Sequence, residues 1–295
     1  MDLRAFLAAE RDRIDGALDR LLPAADSWPV RLHGAMRYAV FGGGKRVRPV
    51  LVRAACRAAG GDPQGMLEAA CALELVHTYS LIHDDLPALD NDTLRRGRPT
   101  VHTAYDEAIA ILAGDALLTE AFAVLAAFPV GDEHSARRAE ACRLVADAIG
   151  SRGMVGGQVE DLEATGGAPD AARLNRIHQA KTGELIGAAV ELGALYAGAE
   201  DARRQAFAVF GRRLGLLFQI ADDILDVTGS AERLGKSPGK DAAAGKLTYP
   251  AVFGLEAANR ELETLAERLM REAEGLEGAG GTLSAMVGYV ARRDR

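Results

Sequence analysis

The sequence predicts an all-α protein, on the strength of helical periodicity, missing strand patterns and composition. Apolar side chains recur at the three- and four-residue spacing of one helix face in 213–227, and again in 3–21, 66–83, 108–128, 135–150, 173–198 and 251–274. Alternating runs of β-branched residues, which indicate strands, do not occur. Aromatic residues are only 5% of the chain, which favours closely packed helices over β-sheet.

Short glycine-rich segments separate these periodic stretches, at 42–45, 60–63, 129–133, 165–170 and 278–281. None is long, rich in serine and proline, or a block of one charge, so they indicate helix–helix turns and not interdomain linkers. A length of 295 residues suits one large domain. We therefore expect residues 1–295 to form a single domain, a bundle of about ten or more mostly antiparallel helices.

Composition excludes several classes of function. Lys plus Arg is 35 against 42 for Asp plus Glu, a net charge of −7, which argues against a nucleic-acid partner. Three widely spaced cysteines give neither a disulfide framework nor a zinc motif. The first twenty residues lack the apolar core of a signal peptide, and Asp115 and Glu120 interrupt the most apolar stretch, 108–130. We expect a cytoplasmic protein with no membrane span.

Residues 84–92 form a first aspartate cluster, which contains Asp84, Asp85 and Asp90 and follows an apolar helix. Acidic side chains are repelled at the C-terminal end of a helix, and Pro87 stops the helix at this point. A lone pair of aspartates here would be typical of a solvated acidic turn.

A second aspartate cluster, Asp222, Asp223 and Asp226, lies inside a helix that is otherwise apolar. Asp222 and Asp226 share a face with Gln219, and like charges at this spacing cost a helix about 0.2–0.5 kcal/mol. Two such costly clusters indicate oxygen-ligand sites for a hard divalent cation. Ligation by carboxylates alone suits Mg²⁺ or Mn²⁺ and argues against zinc.

Basic residues occur in short groups around these clusters. Lys45, Arg46 and Arg48 follow a glycine-rich turn that is not a P-loop and that alone would be typical of a solvated loop. Further basic side chains follow each aspartate cluster or interrupt a helix, namely Arg95, Arg96, Arg98, Lys181, Lys236, Lys240 and Lys246. Because protein-bound Mg²⁺ commonly bridges substrate phosphates, this alternation of acids and bases indicates a magnesium–diphosphate site.

Six segments, FGGGKRVRP, SLIHDDLPALDNDTLRRGRPT, ILAGDALL, AKTGELI, FQIADDILDVTG and GKLTYP, resemble the motifs of the trans-isoprenyl diphosphate synthase (polyprenyl synthetase) family, in the family's order. The four residues between the first aspartate pair and Asp90 resemble the spacing of the bacterial farnesyl and the plant-type geranylgeranyl members, and the chain as a whole is most like bacterial farnesyl diphosphate synthases. The resemblance implies the isoprenoid synthase fold, with both clusters at the mouth of a central cavity, and a homodimer. It also implies isopentenyl diphosphate and allylic diphosphates as substrates.

The resemblance assigns a role to each candidate residue. It implies that a cluster of three Mg²⁺ ions, for which Mn²⁺ can substitute, is ligated by Asp84, Asp90 and Asp222, while Asp85, Asp223 and Asp226 orient ligands. The implied contacts of the isopentenyl diphosphate group are Lys45, Arg48, His77 and Arg96. Those of the allylic substrate are Arg95, Lys181, Thr182, Gln219 and Lys236, of which Lys181, Thr182 and Gln219 take part in catalysis; Lys246 is a weaker candidate. Without the resemblance, His77 would be typical of a hydrogen-bonded core histidine.

Product length is predicted from Tyr79. It lies five residues before Asp84, roughly 7–8 Å along the helix, where a ring could stop a growing chain. Bacterial farnesyl synthases resemble this chain in having an aromatic residue there, so we expect farnesyl diphosphate, made through geranyl diphosphate. The alternatives are a geranylgeranyl diphosphate synthase, a non-catalytic partner subunit, whose broken aspartate motifs are absent here, and a terpene cyclase, which needs no second diphosphate site.

Overall fold

The structure, a computed structural model, describes residues 2–228, 245–278 and 281–292. Helices dominate this part of the chain, as the sequence predicts: α1 Leu3–Leu21, α2 Val30–Val40, α3 Val47–Ala58, α4 Leu67–Asp84, α5 Val101–Ala104, α6 Glu107–Ala127, α7 Ser135–Ile149, α8 Met154–Ala164, α9 Ala171–His178, α10 Glu184–Tyr196, α11 Asp201–Thr228, α12 Tyr249–Phe253, α13 Leu255–Glu277 and α14 Thr282–Ala291. A π-helical turn, Gln179–Gly183, joins α9 to α10, and a 3₁₀ turn, Asp132–His134, precedes α7. Two antiparallel strands of two residues each, β1 Leu94–Arg95 and β2 Arg98–Pro99, form a hairpin that the periodicity did not predict.

Backbone contacts group the chain into two compact units. The first comprises Met1–Arg53 and Pro63–Cys142 and contains the first aspartate cluster. The second comprises Ala54–Asp62 and Arg143–Arg295 and contains the second cluster. The single domain expected over residues 1–295 stays a prediction.

Aspartate side chains begin several of these helices. Asp2, Asp106 and Asp170 precede α1, α6 and α9, and each accepts a hydrogen bond from a backbone N–H of the first helical turn. Those N–H groups have no partner within the helix, so such a cap stabilises it by roughly 1 kcal/mol.

In the first unit, α4 is apolar on every side and is buried over most of its length. Helices α1, α2 and α6 pack against it, so α4 is the central helix of this unit. Its last residue is Asp84, and the first aspartate cluster therefore begins where the buried helix reaches the surface.

Helix α6 is long and apolar enough, by length and composition, to cross a membrane. A helix packed inside a folded protein meets the same test, and α6 packs along α4 and α2. Its Ile111 and Leu112 side chains are exposed.

In the second unit, α10 and α11 approach closely because glycines face each other. A Cβ on Gly211 would lie 2.8 Å from the Cα of Gly187, and a Cβ on Gly215 would lie 2.7 Å from the Cα of Gly183. Side chains at these positions would force the helices apart. The glycines therefore hold the π-helical turn against the middle of α11.

A buried ion pair fastens α1 to α3 in the first unit. Arg53 Nε donates to Glu10 Oε2 at 2.6 Å, and both side chains are 2% exposed. Arg53 also donates to the carbonyl oxygen of Pro63. A buried carboxylate that loses such a partner is left uncompensated, which makes this pair sensitive to substitution.

We predict that Arg53→Met lowers the free energy of unfolding by about 3–5 kcal/mol, because the buried Glu10 carboxylate would keep only its contact with Arg13, whose side chain is half-exposed. Urea denaturation at neutral pH measures the change. The matched control is Arg143→Ala, since Arg143 pairs with Asp147 at the exposed surface of α7 and should cost less than about 1 kcal/mol. Equal effects of the two substitutions would contradict the buried-pair account.

Candidate active site

Arg46 anchors the glycine-rich turn and is itself buried. Its Nε donates to Asp15 Oδ1 at 2.7 Å, one NH group to Glu74 Oε1 at 2.8 Å, and the other to the carbonyl oxygen of Val40 at 2.7 Å. Burial acts to lower the pKa of Arg46, but the two carboxylates outweigh it and the pKa is raised. Arg46 is therefore a charged structural residue, and Lys45, which is exposed, lies beside it.

The hairpin turn brings Arg96 to the same place. Arg96 and Gly97 form its two-residue loop with φ of 53° and 74°, the backbone of a type I′ turn in which Asn-Gly is usual. An arginine in this region costs about 1–3 kcal/mol. A Cβ on Gly44 would lie 2.9 Å from the Arg96 guanidinium and 3.1 Å from that of Arg46, so glycine leaves room for both guanidinium groups beside the turn.

His77 lies among these cations on α4. Burial lowers the pKa of His77 well below its usual value, and the positive charges of Arg48, Arg96 and Arg95 lower it further. The imidazole is neutral at pH 7 and can donate one hydrogen bond and accept another. The structure thus brings together the histidine and arginines that the sequence assigns to one diphosphate, and their role as ligands stays a prediction.

The first aspartate cluster divides its carboxylates between the interior and the surface. Asp85 is 3% exposed, and Arg95 forms a bidentate ion pair with it. Arg95 Nε lies 2.9 Å from both carboxylate oxygens, and Arg95 Nη2 lies 2.6 Å from Oδ1. Burial raises the pKa of Asp85, and the Arg95 guanidinium opposes that rise. Asp84 and Asp90 are partly exposed, and the Asp90 N–H donates to the Asp84 carbonyl oxygen at 2.9 Å.

Arg95 therefore has a second task beside the one predicted for it. The sequence assigns Arg95 to the allylic substrate, whereas in the structure it compensates the buried Asp85 carboxylate. Its side chain is 33% exposed, so Arg95 is not fully enclosed by the protein. Arg95 also lines a cleft of the first unit with Tyr38, Thr78 and Arg96.

In the second unit, the π-helical turn carries Lys181 and Thr182. Lys181 Nζ lies 2.7 Å from Asp161 Oδ2 on α8, and the Thr182 hydroxyl donates to Gln219 Oε1 on α11 at 2.8 Å. The sequence-predicted trio Lys181, Thr182 and Gln219 thus lies around one turn. Single π-helical turns occur often at functional sites, because the extra residue breaks the regular hydrogen bonding of the helix.

The second aspartate cluster shows the same division as the first. Asp223 and Asp226 are 6% and 3% exposed, whereas Asp222 is partly exposed. Asp223 Oδ2 accepts the backbone N–H of Tyr249 at 2.8 Å and lies 3.4 Å from His178 Nε2. The inward carboxylates of both clusters are those that the sequence analysis assigned to orienting roles.

The donor chemistry fits a magnesium site. Across residues 2–228, 245–278 and 281–292, no three His, Cys, Asp or Glu side chains converge as a preformed metal cage. Mg²⁺ does not need one, since it is usually held by one or two carboxylates together with waters and substrate phosphates. The partly exposed carboxylates of the two clusters are Asp84 and Asp90 in the first unit and Asp222 in the second, and each is a suitable oxygen ligand. Lys236, which the sequence assigns to the allylic substrate, lies outside the described residues.

Several residues of these sites were missed from the sequence. In the sequence, Arg46 is one of several basic residues after the glycine-rich turn, and no pattern indicates that it is buried. Asp161 is the partner of Lys181 but lies twenty residues before it. Gly157 and Asp161 share one face of α8, a spacing that also suits ordinary helix packing. His178 was read only as part of a periodic helix.

We predict that Gly157→Ala lowers the free energy of unfolding by about 1–3 kcal/mol, because its Cβ would lie 2.8 Å from the Lys181 Cα and overlap the backbone of the π-helical turn. The midpoint of urea denaturation measures the loss. The control, Gly16→Ala in α1, meets only the Arg20 guanidinium at 3.8 Å and should stabilise by roughly 0.5–1 kcal/mol. An unchanged midpoint for Gly157→Ala would refute the close packing of α8 on this turn.

Comparisons with known proteins agree with this geometry. The polyprenyl synthetase family model matches residues 29–279. Geranylgeranyl pyrophosphate synthase 4 of Arabidopsis thaliana is 42% identical over 300 residues, which are 99% of this chain and 78% of that protein. The large subunit 1 of a heterodimeric geranylgeranyl pyrophosphate synthase of the same plant, a chloroplastic protein, is 45% identical over 301 residues, 99% of this chain and 80% of the relative.

Solved structures are similar over the whole chain. An FPP/GFPP synthase from Zymomonas mobilis in its apo form has a TM-score of 0.84 and 37% identity, and the match covers 99% of this chain and 98% of that one. A geranyltransferase from Helicobacter pylori, complexed with magnesium and isoprenyl diphosphate, has a TM-score of 0.85 and 32% identity, with coverage of 98% and 96%. The chain has the isoprenoid synthase fold, and it belongs to the polyprenyl synthetase family of trans-isoprenyl diphosphate synthases.

Proposed function

We propose that this prenyltransferase condenses isopentenyl diphosphate with dimethylallyl diphosphate and then with geranyl diphosphate, and releases farnesyl diphosphate. Family membership supplies the class of reaction. The observation that carries the product length is Tyr79, whose ring is buried in α4 five residues before Asp84.

The basic residues of the first unit support an isopentenyl diphosphate site. Arg48, Arg96 and the exposed Lys45 provide positive charge, and the neutral His77 provides one hydrogen bond. Charge-assisted hydrogen bonds to a diphosphate are about twice as strong as neutral ones, so such a set binds a multiply charged anion well. A terpene cyclase, which acts on one diphosphate, would have no use for it.

The π-helical turn supports the allylic site. Lys181 is held by Asp161 and Thr182 by Gln219, so both polar groups are already oriented before a substrate arrives. The Thr182 hydroxyl proton is already donated to Gln219, whereas Lys181 Nζ keeps two N–H groups beside the one directed at Asp161, and preorganised donors of this kind favour charge that develops on a leaving group. Arg95 and Lys236 complete the allylic set in this proposal.

The reaction is an ionisation, a condensation and an elimination. Asp84, Asp90 and Asp222 would hold a cluster of three Mg²⁺ ions, or Mn²⁺ in its place, and bound metal supplies charge neutralisation for the departing diphosphate. Lys181 and Arg95 donate to that diphosphate as the allylic C–O bond breaks and its electron pair leaves with oxygen. The double bond of isopentenyl diphosphate then forms the new C–C bond, and the released diphosphate accepts the proton that is lost. Apolar side chains exclude water, which would otherwise capture the carbocation.

Tyr79 supports a short product. Its side chain is 6% exposed, and its ring meets His83 edge-on with centroids 5.7 Å apart, so the ring has a fixed position. Burial, with the nearby Asp84 charge, raises the pKa of Tyr79 to about 12, and the hydroxyl stays protonated at neutral pH. A rigid aromatic ring one and a half turns below the metal-binding end of α4 can stop a growing chain.

A second candidate is a geranylgeranyl diphosphate synthase. The observation that favours it is the naming of the relatives, which are geranylgeranyl pyrophosphate synthases in Arabidopsis thaliana and Capsicum annuum. The product released by the wild-type chain decides between the two.

We further propose that the chain works as a homodimer. The exposed Ile111 and Leu112 on α6 form an apolar face that a second copy could cover. Some relatives are named as subunits of heterodimers, and a partner subunit without activity of its own is the alternative. The three predicted metal-ligand positions are all aspartates here, which favours an active chain.

We predict that EDTA abolishes turnover and that added Mg²⁺ restores it. Asp84→Asn or Asp222→Asn should lower the turnover number at least about 100-fold, because each loses a metal ligand worth several kcal/mol in the transition state. Circular dichroism should remain helical. Asp12→Asn on the exposed face of α1 is the control and should leave turnover unchanged. Near-normal turnover numbers in both Asp84→Asn and Asp222→Asn would contradict the assignment of these aspartates as metal ligands.

We predict that the wild-type chain, given dimethylallyl and isopentenyl diphosphates with Mg²⁺, releases mainly the C15 product. Tyr79→Ala should shift the products to C20 or longer because it removes the aromatic ring that stops the growing chain. Tyr79→Phe, which keeps the ring and loses only the hydroxyl, should still give C15. Chromatography of the dephosphorylated products measures chain length. Wild-type protein that releases mainly C20, or Tyr79→Ala protein that still stops at C15, contradicts this account.

A further inference from the structure

His178 connects three parts of the second unit. It is the last residue of α9 and directly precedes the π-helical turn that carries Lys181 and Thr182. Its Nε2 lies 3.4 Å from Asp223 Oδ2 on α11. Its ring stacks on the ring of Tyr249, with centroids 6.0 Å apart and an angle of 14° between the planes. The imidazole is 3% exposed, so it makes these contacts inside the protein.

One carboxylate oxygen of Asp223 contacts two of these segments. Oδ2 accepts the Tyr249 N–H at the start of α12 and also faces His178 Nε2. The next residue of α11 toward the N terminus is Asp222, the partly exposed carboxylate of the second cluster. A shift of Asp223 would therefore rotate the helical turn that aims Asp222, while a shift of His178 would move the turn that aims Lys181.

Stability alone does not explain a histidine at this position. His178 Nδ1 is buried and has no hydrogen-bond partner within the described residues. A buried acceptor without a partner is unfavourable, and phenylalanine would stack on Tyr249 equally well without it. What histidine adds is the contact between Nε2 and Asp223.

We infer that His178 is a positioning residue for prenyl transfer: it ties the turn bearing Lys181 and Thr182 to Asp223 and, through Tyr249, to the segment that begins α12. This inference rests on the proposed function. His178 touches neither substrate nor metal in this account. It fixes the distance between the lysine of the π-helical turn and the aspartates of α11, and so acts on the allylic diphosphate only.

The test uses the full-length protein and compares His178→Phe with His178→Gln. Phenylalanine keeps the stack on Tyr249 and loses the contact with Asp223, whereas glutamine can place an amide N–H near the position of Nε2. Steady-state kinetics with geranyl diphosphate and with isopentenyl diphosphate as the varied substrate give a KM for each. Thermal unfolding of each variant measures stability. His134→Gln, in the 3₁₀ turn before α7, is the matched control and should behave as wild type.

We expect His178→Phe to raise the KM for geranyl diphosphate about tenfold and to leave the KM for isopentenyl diphosphate within about twofold of wild type. The melting temperature should be unchanged or higher. His178→Gln should recover most of the loss. Greater Mg²⁺ demand in the phenylalanine variant, reversed in the glutamine variant, would add support because Asp222 neighbours Asp223.

Three results would overturn the inference. Wild-type kinetics in His178→Phe would show that the contact with Asp223 is not needed. An equal rise in both KM values, in His178→Phe or, where that variant does not fold, in His178→Gln, would show a purely structural role. Wild-type protein that forms no prenyl product at all would overturn the proposed function and this inference with it, so the two failures are distinguishable.

Discussion

The ion pair between Arg95 and Asp85 is the interaction that organises the first aspartate cluster. A carboxylate at the C-terminal end of a helix meets an unfavourable dipole, and burial adds a desolvation cost. The two-pronged guanidinium contact offsets both, because it supplies two charge-assisted hydrogen bonds in a fixed geometry. With Asp85 held inward, the chain from Asp84 to Asp90 folds back on itself. The carboxylates of Asp84 and Asp90 remain at the surface.

The second unit meets the same constraint with different groups. Asp223 is compensated by a backbone N–H and an imidazole in place of a guanidinium, and Asp161 is compensated by Lys181. Asp161 thereby orients Lys181, whose side chain is 24% exposed, while the contacts of Asp223 are themselves buried. Each buried carboxylate thus holds its partners in fixed positions, and a site that binds small charged groups requires such fixed positions.

The sequence predicts the helices and both aspartate clusters because each has a local signal, a period of 3.6 residues or an acid where a helix disfavours it. The hairpin is not predicted from the sequence because strands of two residues show no periodicity, and because its turn places Arg96 where asparagine is usual. The structural role of Arg46 is not predicted because its ion-pair partners, Asp15 and Glu74, are distant in the sequence. The second role of Arg95 was missed for a related reason: a basic residue near an acid can serve a ligand or the acid itself, and only the distance between them decides.

Product length illustrates why similarity over the whole chain settles the chemistry and not the product. In the proposed reaction the two aspartate clusters and the basic groups face diphosphates, and the diphosphate group is the same in every substrate of the family's reaction. The chain tail is recognised only by apolar contact, where one side chain can change the available depth while identity remains near 42%. Tyr79 is buried in α4, five residues before Asp84 at the end of that helix, and the proposal assigns it such a position. Its ring, which rests on His83, is therefore the feature of this chain that argues for a C15 product against the names of its plant relatives.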